Sequence, residues 1–336
     1  MEKIKINLTK KTLNDLTNDM ITFEYYKKDG QINKNGFINT LLKNYFSIYD
    51  NQASELIEKY TKIVTNHIYE EKKANQLIND LVAASPFFTF NKQDILETSI
   101  SFKLINSNHN IFKIIENKYL SYQSISSFFR NMIDSYLSLP KYKREQIIYL
   151  NTYELLMDAI NDNRKIKVFL KSGDNREFIP CAVANSKEEI YNYLISISED
   201  SDKRHVSSIH LSRIDSIYLL KEKYLLNSQD KEKIESVIEN GAQFPYTNPC
   251  IAQIKLTTSG QRLFRKKYLN RPTPINIESD VYYFNCSFDQ LLLYFFSFGK
   301  EALVLSPKYL KEKLKKQYIE AYKNYCDEEI NSILLE

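Results

Sequence analysis

The 336-residue sequence predicts an α+β protein, and three features of the chain lead to this prediction. The pattern of a short strand followed by two helices occurs near the start of the chain and again further along. A central stretch beginning at Lys165 changes to the two-residue period of β-strands, interrupted by turns, and the last third alternates strand with helix. A chain of this length can form two or three domains, each with its own core.

The first unit, residues 1–50, opens with the strand KIKINL, which alternates strictly between apolar and polar side chains. The apolar set is Ile4, Ile6 and Leu8, and the polar set is Lys3, Lys5 and Asn7. Because successive side chains of a strand point to opposite sides, one face is apolar and the other polar. A helix beginning after Thr9 or Thr12 follows, and Asn33 can cap a second helix containing FINTLL.

A second unit with the same order spans residues 98–140. Its strand SISFKL places Ile100, Phe102 and Leu104 on one face and Ser99, Ser101 and Lys103 on the other. Ser124 can cap its second helix. The matched strand residues Ile4 and Ile100 are 100 − 4 = 96 positions apart in the sequence. The matched second-helix residues Phe37 and Phe128 are 91 positions apart. A lone strand of this kind needs a partner.

The segments NKNGFINTLL and SISSFFRNMI resemble the second helix of the ribbon-helix-helix family. The resemblance implies an antiparallel two-stranded ribbon in the DNA major groove, with phosphates held at the second-helix starts. Here one chain would supply both strands. The implied nucleic-acid contacts are Lys3, Lys5, Asn7, Ser99, Ser101, Lys103, Asn33, Ser124 and Arg130. The alternative is an ordinary solvated sheet face.

Apolar periodicity predicts a helical spacer over residues 51–97 and a linker helix over 141–163. His67 lies on the apolar stripe of the spacer without a nearby Cys or second His, which favours a packing role over metal binding. The basic run at the start of the linker helix is typical of a solvated helix end, although it could touch a nucleic-acid backbone.

Residues 164–226 contain short strands separated by turns, which predicts a small bent sheet or barrel. The segment resembles the WYL domain, an Sm-like β-barrel of bacterial regulators, through Gly173, Arg176 and Pro180 and through the strand YNYLISIS, where Asn192 replaces the signature Trp. The resemblance implies a polar, basic pocket for a negatively charged or nucleic-acid ligand, lined by Tyr193, Arg204, His210 and Arg213. The alternative is that Arg213 pairs with an acid such as Asp215 and that Tyr193 is core.

Residues 227–336 read as alternating strands and helices. The phrase FGKEALVLSPKYLKEKLKKQY resembles the C-terminal extension that follows WYL domains, a ferredoxin-like α/β unit often used for dimer contacts. The resemblance therefore implies a homodimer. A basic cluster on one helix of this region is by default solvated, but it could extend a nucleic-acid path; its members are Arg262, Arg265, Lys266 and Lys267.

The composition restricts the function. The formal net charge is only +4, from 46 basic and 42 acidic residues, so attraction to nucleic acid must come from local clusters. Four scattered cysteines without a CxxC pair argue against zinc and a disulfide framework. No apolar run has the length of a membrane span, and no apolar signal core is present, so we expect a soluble cytoplasmic protein without a membrane partner. P-loop, GxSxG and HExxH motifs are absent, which indicates a non-enzyme without a cofactor.

These features favour a nucleic-acid-binding regulator in which ribbon-helix-helix DNA binding is coupled to a ligand-sensing WYL domain. The combination of ribbon-helix-helix-like and WYL-like parts is also similar to the accessory proteins that accompany RNA-targeting type VI CRISPR effectors and stimulate them. Single-stranded RNA binding with a CRISPR effector as partner is therefore the alternative. A protein-interaction scaffold, in which the ribbon is only a partner surface, is a third possibility.

Overall fold

The computed structural model describes residues 3–85, 95–120, 123–200, 203–245 and 251–333. The chain divides into two compact units, Met1–Leu150 and Asn151–Glu336. Helices are combined with three small sheets within the described residues, of two, five and four strands. Among the described helices, none combines the length and apolar character that crossing a membrane requires.

The first unit contains the two predicted strand–helix–helix repeats and the helices around them. Its elements are β1 (Lys3–Leu8), α1 (Lys10–Thr22), α2 (Lys34–Thr65), α3 (Glu71–Ala84), β2 (Thr98–Lys103), α4 (His109–Tyr119), α5 (Ile125–Leu137) and α6 (Lys141–Ile148).

The strands β1 and β2 pair with each other, as the repeat predicted. They are antiparallel, with Lys3 opposite Lys103 and Leu8 opposite Thr98. Their apolar faces enter one core together with the aromatic side chains of α2 and α5; Ile6 and Leu8 are fully buried there. Burying these alternate side chains fixes the register, because a slip by one residue would turn the polar side chains into the core.

Three predicted helix caps are present. The hydroxyl of Thr9 accepts a hydrogen bond from the backbone N–H of Thr12 at 3.0 Å, which selects Thr9 as the cap of α1. Asn33 caps α2 through the N–H of Gly36 at 2.9 Å, and Ser124 caps α5 through the N–H of Ser127 at 3.2 Å. Each cap satisfies one N–H group that the first helical turn leaves without a partner.

Two helical segments differ from their sequence-based description. Helix α2 continues from Lys34 to Thr65 across residue 50, because no Gly or Pro interrupts the apolar periodicity there. His67 lies beyond its end and is exposed, so it is not on the packed stripe. The predicted linker helix is two helices that meet at Tyr149, whose hydroxyl donates to the carbonyl of Phe23 at 2.6 Å.

The second unit starts with a helix and then forms two sheets. Its elements are α7 (Leu150–Asn161), β3 (Arg164–Leu170), β4 (Asn175–Asn185), β5 (Asn192–Asp200), β6 (Lys203–His210), β7 (Ile214–Lys223), α8 (Ser228–Asn240), β8 (Ala252–Leu256), α9 (Thr258–Lys266), β9 (Pro274–Glu278), β10 (Val281–Phe284), α10 (Phe288–Phe296), β11 (Ala302–Ser306) and α11 (Lys308–Ile333).

The five strands of the central segment form one antiparallel sheet in the order β6-β5-β4-β3-β7. Helix α8 packs on one face, where Val237 meets Ile195 and Ile197 in a shared core. The four C-terminal strands form a second antiparallel sheet in the order β11-β8-β10-β9, with α9 and α10 contributing Phe264 and Phe295 to its core.

Candidate nucleic-acid interface

The polar face of the β1–β2 ribbon brings together six of the predicted contact residues. Cross-strand neighbours on this face are Lys3 with Lys103, Lys5 with Ser101 and Asn7 with Ser99. Five of these side chains are exposed, and Ser101 is half-buried. Directly opposite residues of an antiparallel pair lie on the same face, so the register alone assembles this set.

The positive charge is concentrated at one end of the ribbon. Lys3 and Lys103 are directly opposite, and Lys5 is the next outward residue of β1. None of the three forms an ion pair with any described residue. Since no carboxylate offsets the positive potential of these exposed lysines, this end is the electrostatically favourable one for phosphate.

Each ribbon strand is hydrogen-bonded to the second helix of the opposite repeat. The backbone N–H of Asn7 donates to Ser126 Oγ at 2.9 Å, and the backbone N–H of Lys103 donates to Asn35 Oδ1 at 2.7 Å. The residue numbers of Asn7 and Lys103 differ by 96, which is the offset between the two strands. Those of Asn35 and Ser126 differ by 91, which is the offset between the two second helices. The contacts are therefore equivalent under an approximate two-fold relationship between the two repeats.

These contacts place the N-termini of α2 and α5 beside the strand ends. The side chains of Asn33 and Ser124 are occupied as helix caps, so their predicted phosphate contacts would be made by backbone N–H groups. The N-terminus of a helix carries a partial positive charge that favours anions. The geometry thus allows phosphates on both flanks of the ribbon.

Arg130 does not share this exposed face, although the family resemblance placed it there. Its side chain is buried, with 6% exposed, and its guanidinium donates from Nη1 to the carbonyl of Asn7 and from Nη2 to Ser127 Oγ, both at 3.0 Å. Burial lowers the pKa of the guanidinium, and Asp134 partly offsets this. Arg130 therefore attaches α5 to β1 and is corrected from a nucleic-acid contact to a structural residue.

The equivalent contact in the other half involves Asn39. Its Nδ2 donates to the carbonyl of Lys103 at 2.9 Å, as Arg130 donates to the carbonyl of Asn7. Asn39 and Arg130 are also related by the offset of 91. The same position of the repeat thus attaches the helix to the strand in both halves, which explains why Arg130 points inward.

The predicted pocket in the central sheet comes together only in part. Tyr193 and His210 are directly opposite on β5 and β6, with ring centroids 5.2 Å apart. The ring of Tyr191 meets the ring of His210 edge-on at 4.2 Å, and Ser212 Oγ lies 3.0 Å from His210 Nδ1. These residues form a compact aromatic and polar cluster around a largely buried imidazole.

One of the two predicted arginines, Arg204, lies away from this cluster, whereas Arg213 directly follows Ser212. Arg204 is six residues before His210 on β6, or roughly 20 Å along an extended strand. It forms an ion pair with Asp230 at 2.7 Å near the start of α8. Arg213 is exposed in the short turn before β7. The four predicted residues therefore do not all meet in one cluster, because the length of β6 separates Arg204 from His210.

The other chemical expectations concern cysteines and metals. Cys181, Cys286 and Cys326 are free thiols, and Cys250 lies outside the described residues. Burial raises the pKa of Cys181 and of Cys286 to about 12. Across the described parts of the chain, no group of three or more His, Cys, Asp or Glu residues could hold a metal ion.

Comparison with known proteins identifies a shared fold. No protein-family model and no curated protein matches the chain. A solved structure described as "Crystal structure of a CRISPR Cas-related protein" superposes with a TM-score of 0.72 at 17% sequence identity, covering 97% of this chain and 95% of that one. The two chains share their fold.

A second solved structure is the proteasome accessory factor B/C (PafBC) of Arthrobacter aurescens. Its TM-score is 0.24 at 13% identity, covering 57% of this chain and 31% of that one. A likeness at this level carries no argument about fold or function. The similarity to the CRISPR Cas-related protein, in contrast, bears on the architecture.

Proposed function

We propose that this protein is a non-catalytic regulatory or accessory protein that binds nucleic acid through the polar face of the β1–β2 ribbon. The supporting observation is the cluster of Lys3, Lys5 and Lys103, three lysines without carboxylate partners among the described residues, on a ribbon flanked by two helix N-termini. This arrangement combines base-edge donors with backbone sites for phosphate.

Duplex DNA is the first candidate target. An antiparallel two-stranded ribbon fits the B-DNA major groove, which is about 12 Å wide. Lysines on such a ribbon can donate to the O6 and N7 acceptors of guanine, and Asn7 can bond adenine. The helix N-termini of α2 and α5 would hold phosphates on either side. This is the chemistry of a ribbon-helix-helix transcriptional regulator.

Single-stranded RNA is the second candidate, with this protein as an accessory to an RNA-targeting type VI CRISPR effector. The fold shared with a CRISPR Cas-related protein supports this candidate. So does a phenylalanine, Phe112, in a groove that also contains ribbon lysines. Aromatic side chains beside positive charge are typical of sites for unstacked bases.

The second unit would supply regulation and assembly. The five-stranded sheet supports an Sm-like, WYL-type barrel, and its Tyr193–His210 cluster is the part we propose for ligand sensing. The C-terminal element order β-α-β-β-α-β supports a ferredoxin-like unit. Its edge strand β11 exposes Leu303 and Leu305, which is consistent with a homodimer formed there.

Direct binding tests this proposal. The full chain is titrated against labelled duplex DNA from its own upstream region and against labelled single-stranded RNA, each at two salt concentrations. Replacing Lys3, Lys5 and Lys103 with Ala should weaken binding and lower the magnitude of the salt slope by about three. A matched control replaces Lys28, Lys59 and Lys72, three other exposed lysines.

The outcomes separate the candidates. Preference for the duplex supports a DNA-binding regulator, and preference for the single strand supports an RNA-binding accessory protein. If the ribbon variant binds like the control variant, or if the wild-type protein binds neither target, the proposal is wrong and the ribbon is a partner surface of a scaffold.

A further inference from the structure

A groove of about 500 Å³ opens beside the lysine-rich end of the ribbon, where β1, α4 and the first residue of α5 meet. This volume is within the range of about 300–1,000 Å³ that is usual for small-ligand sites. Apolar residues from β1, the residue after β2 and α5 form part of the lining. The lining also contains the charged and aromatic side chains that matter for ligand binding: Lys3, Lys5, His109, Phe112, Lys113 and Glu116.

The groove carries more positive than negative charge. Lys3, Lys5 and Lys113 form no ion pair with a described residue, and Glu116 is the carboxylate of the lining. His109 is half-buried, and its Nε2 atom is buried without a hydrogen-bond partner among the described residues.

The N-terminus of α5 adds a second source of positive potential. This helix has 13 residues, its cap is Ser124, and its first residue, Ile125, lies in the groove wall. A phosphate near Ile125 would meet the positive end of the helix in a groove that also contains the ammonium groups of Lys3 and Lys5. Phe112 offers the ring on which a planar base can lie.

The approximate two-fold relationship provides an internal comparison. At the strand offset of 96, Lys3 and Lys5 correspond to Ser99 and Ser101. The ribbon lysines of the groove therefore belong to one half alone, and the repeat itself does not require them.

We propose that this groove binds one unstacked nucleotide of a single-stranded nucleic acid. The base would lie on Phe112, with its phosphate between Lys3, Lys5 and the start of α5. This inference rests on the proposed ribbon function, because Lys3 and Lys5 belong to both surfaces and Lys103 continues the positive charge across the ribbon. A stacked duplex does not present a base in this way, so the groove favours a single strand.

The test measures binding of the full chain to a labelled single strand of uniform sequence, to an abasic strand of equal length and to a duplex. Phe112→Leu preserves an apolar side chain but removes the aromatic ring, and Lys113→Ala removes a charge that is not part of the ribbon. Lys59→Ala is the charge-matched control, since Asn108 beside the groove residue His109 contacts Asn39 of α2, and 20 residues of helix place Lys59 roughly 30 Å from Asn39. Lys103→Ala reports on the ribbon alone, and thermal unfolding checks that each variant is folded.

We expect Phe112→Leu to weaken binding of the base-bearing strand about tenfold and to leave the abasic strand almost unchanged. Lys113→Ala should weaken both strands several-fold and reduce their salt dependence, whereas Lys59→Ala should match the wild type. Equal weakening of the duplex by Phe112→Leu would overturn the inference, as would binding of a free nucleoside monophosphate without binding of a strand.

The proposed function and this inference fail in different ways. If Lys103→Ala weakens binding while Phe112→Leu and Lys113→Ala do not, the groove is not a nucleotide site and the ribbon remains the interface. If the wild-type chain binds no strand and no duplex, both are wrong.

Discussion

Asn7 is bound to α5 through both of its backbone polar groups: its N–H donates to Ser126 Oγ, and its carbonyl accepts from Arg130 Nη1. A residue at the end of a two-stranded ribbon has few ladder partners, so helix side chains replace them. The ribbon is thereby held by the helix that follows the opposite strand, and its polar face stays available to solvent.

Removing the hydroxyl of Ser126 should loosen this attachment. We expect Ser126→Ala to lower the free energy of unfolding by about 1 kcal/mol, the usual net value of one hydrogen bond, because water can reach the freed N–H. Denaturant titration measures this decrease in the free energy of unfolding. Ser107→Ala, which alters an exposed serine, is the control, and an equal effect of both variants would contradict the assignment.

Arg130 and Asn39 should behave as equivalent structural residues. Arg130→Ala and Asn39→Ala should each lower the free energy of unfolding by about 2 kcal/mol, because each leaves a strand carbonyl without its donor. The salt dependence of nucleic-acid binding should be unchanged in folded Arg130→Ala protein. A shallower salt slope in that variant would instead return Arg130 to the interface.

The buried pair of Asp19 and Arg144 should make stability depend on pH. Asp19 is 1% exposed, and burial raises its pKa to about 6, although Arg144 at 2.7 Å opposes the rise. Since the folded state holds the proton more tightly, this contribution is present at low pH. It is lost as pH rises through about 6.

The comparison that isolates this effect uses Asp19→Asn, which does not titrate. Between pH 4 and pH 7, the unfolding free energy of the wild type should fall relative to that of Asp19→Asn by as much as about 3 kcal/mol. Denaturant titrations across this range measure the difference. A constant difference between the two proteins would show that Asp19 is ionised throughout.

The ion pair between Arg204 and Asp230 should stabilise the second unit without binding a ligand. Asp230 also forms the capping box of α8 with Asn227, so Arg204 adds a charge partner at a helix start. We expect Arg204→Met to lower the free energy of unfolding by about 1 kcal/mol, because the arginine is partly exposed. Lys231→Met, which alters a neighbouring exposed lysine, should have no comparable effect.

The thiols of Cys181 and Cys286 should resist alkylation in the native protein. Burial raises the pKa of both groups to about 12, and only the thiolate reacts rapidly. Mass spectrometry after iodoacetamide treatment at neutral pH should find both residues unmodified until denaturant is added. Rapid modification of Cys286 in native protein would indicate local opening around it.

The predictability of the ribbon has a clear physical origin. The alternation of Ile4, Ile6 and Leu8 with polar residues, repeated at Ile100 and Phe102, leaves a two-stranded pairing as the simplest way to bury both apolar faces. The caps Thr9, Asn33 and Ser124 were predictable for a similar reason, since short polar side chains before an apolar helix satisfy N–H groups locally. Such signals are contained within a few neighbouring residues.

The site residues were less predictable because their roles depend on distant partners. The motif resemblance predicts an exposed Arg130, but the side chain donates a hydrogen bond to the carbonyl of Asn7, which is 123 residues away in the sequence. Arg204 and His210 are near each other in sequence, yet an extended strand separates them. His109, Phe112 and Lys113 gave no signal, because they become a groove only when β1 packs beside α4.

The sequence by itself determined the repeated strand–helix–helix units, the helix starts near Asn33 and Ser124, the strand-rich central segment and the C-terminal alternation of strands and helices, because periodicity and capping act over one or two turns of chain. Only the tertiary structure decided the register of the strand pairs, the choice of Thr9 as a cap, the inward position of Arg130 and the groove between β1, α4 and α5. These properties arise from contacts between residues far apart in the chain, where packing and hydrogen bonding select among arrangements that local patterns leave equivalent.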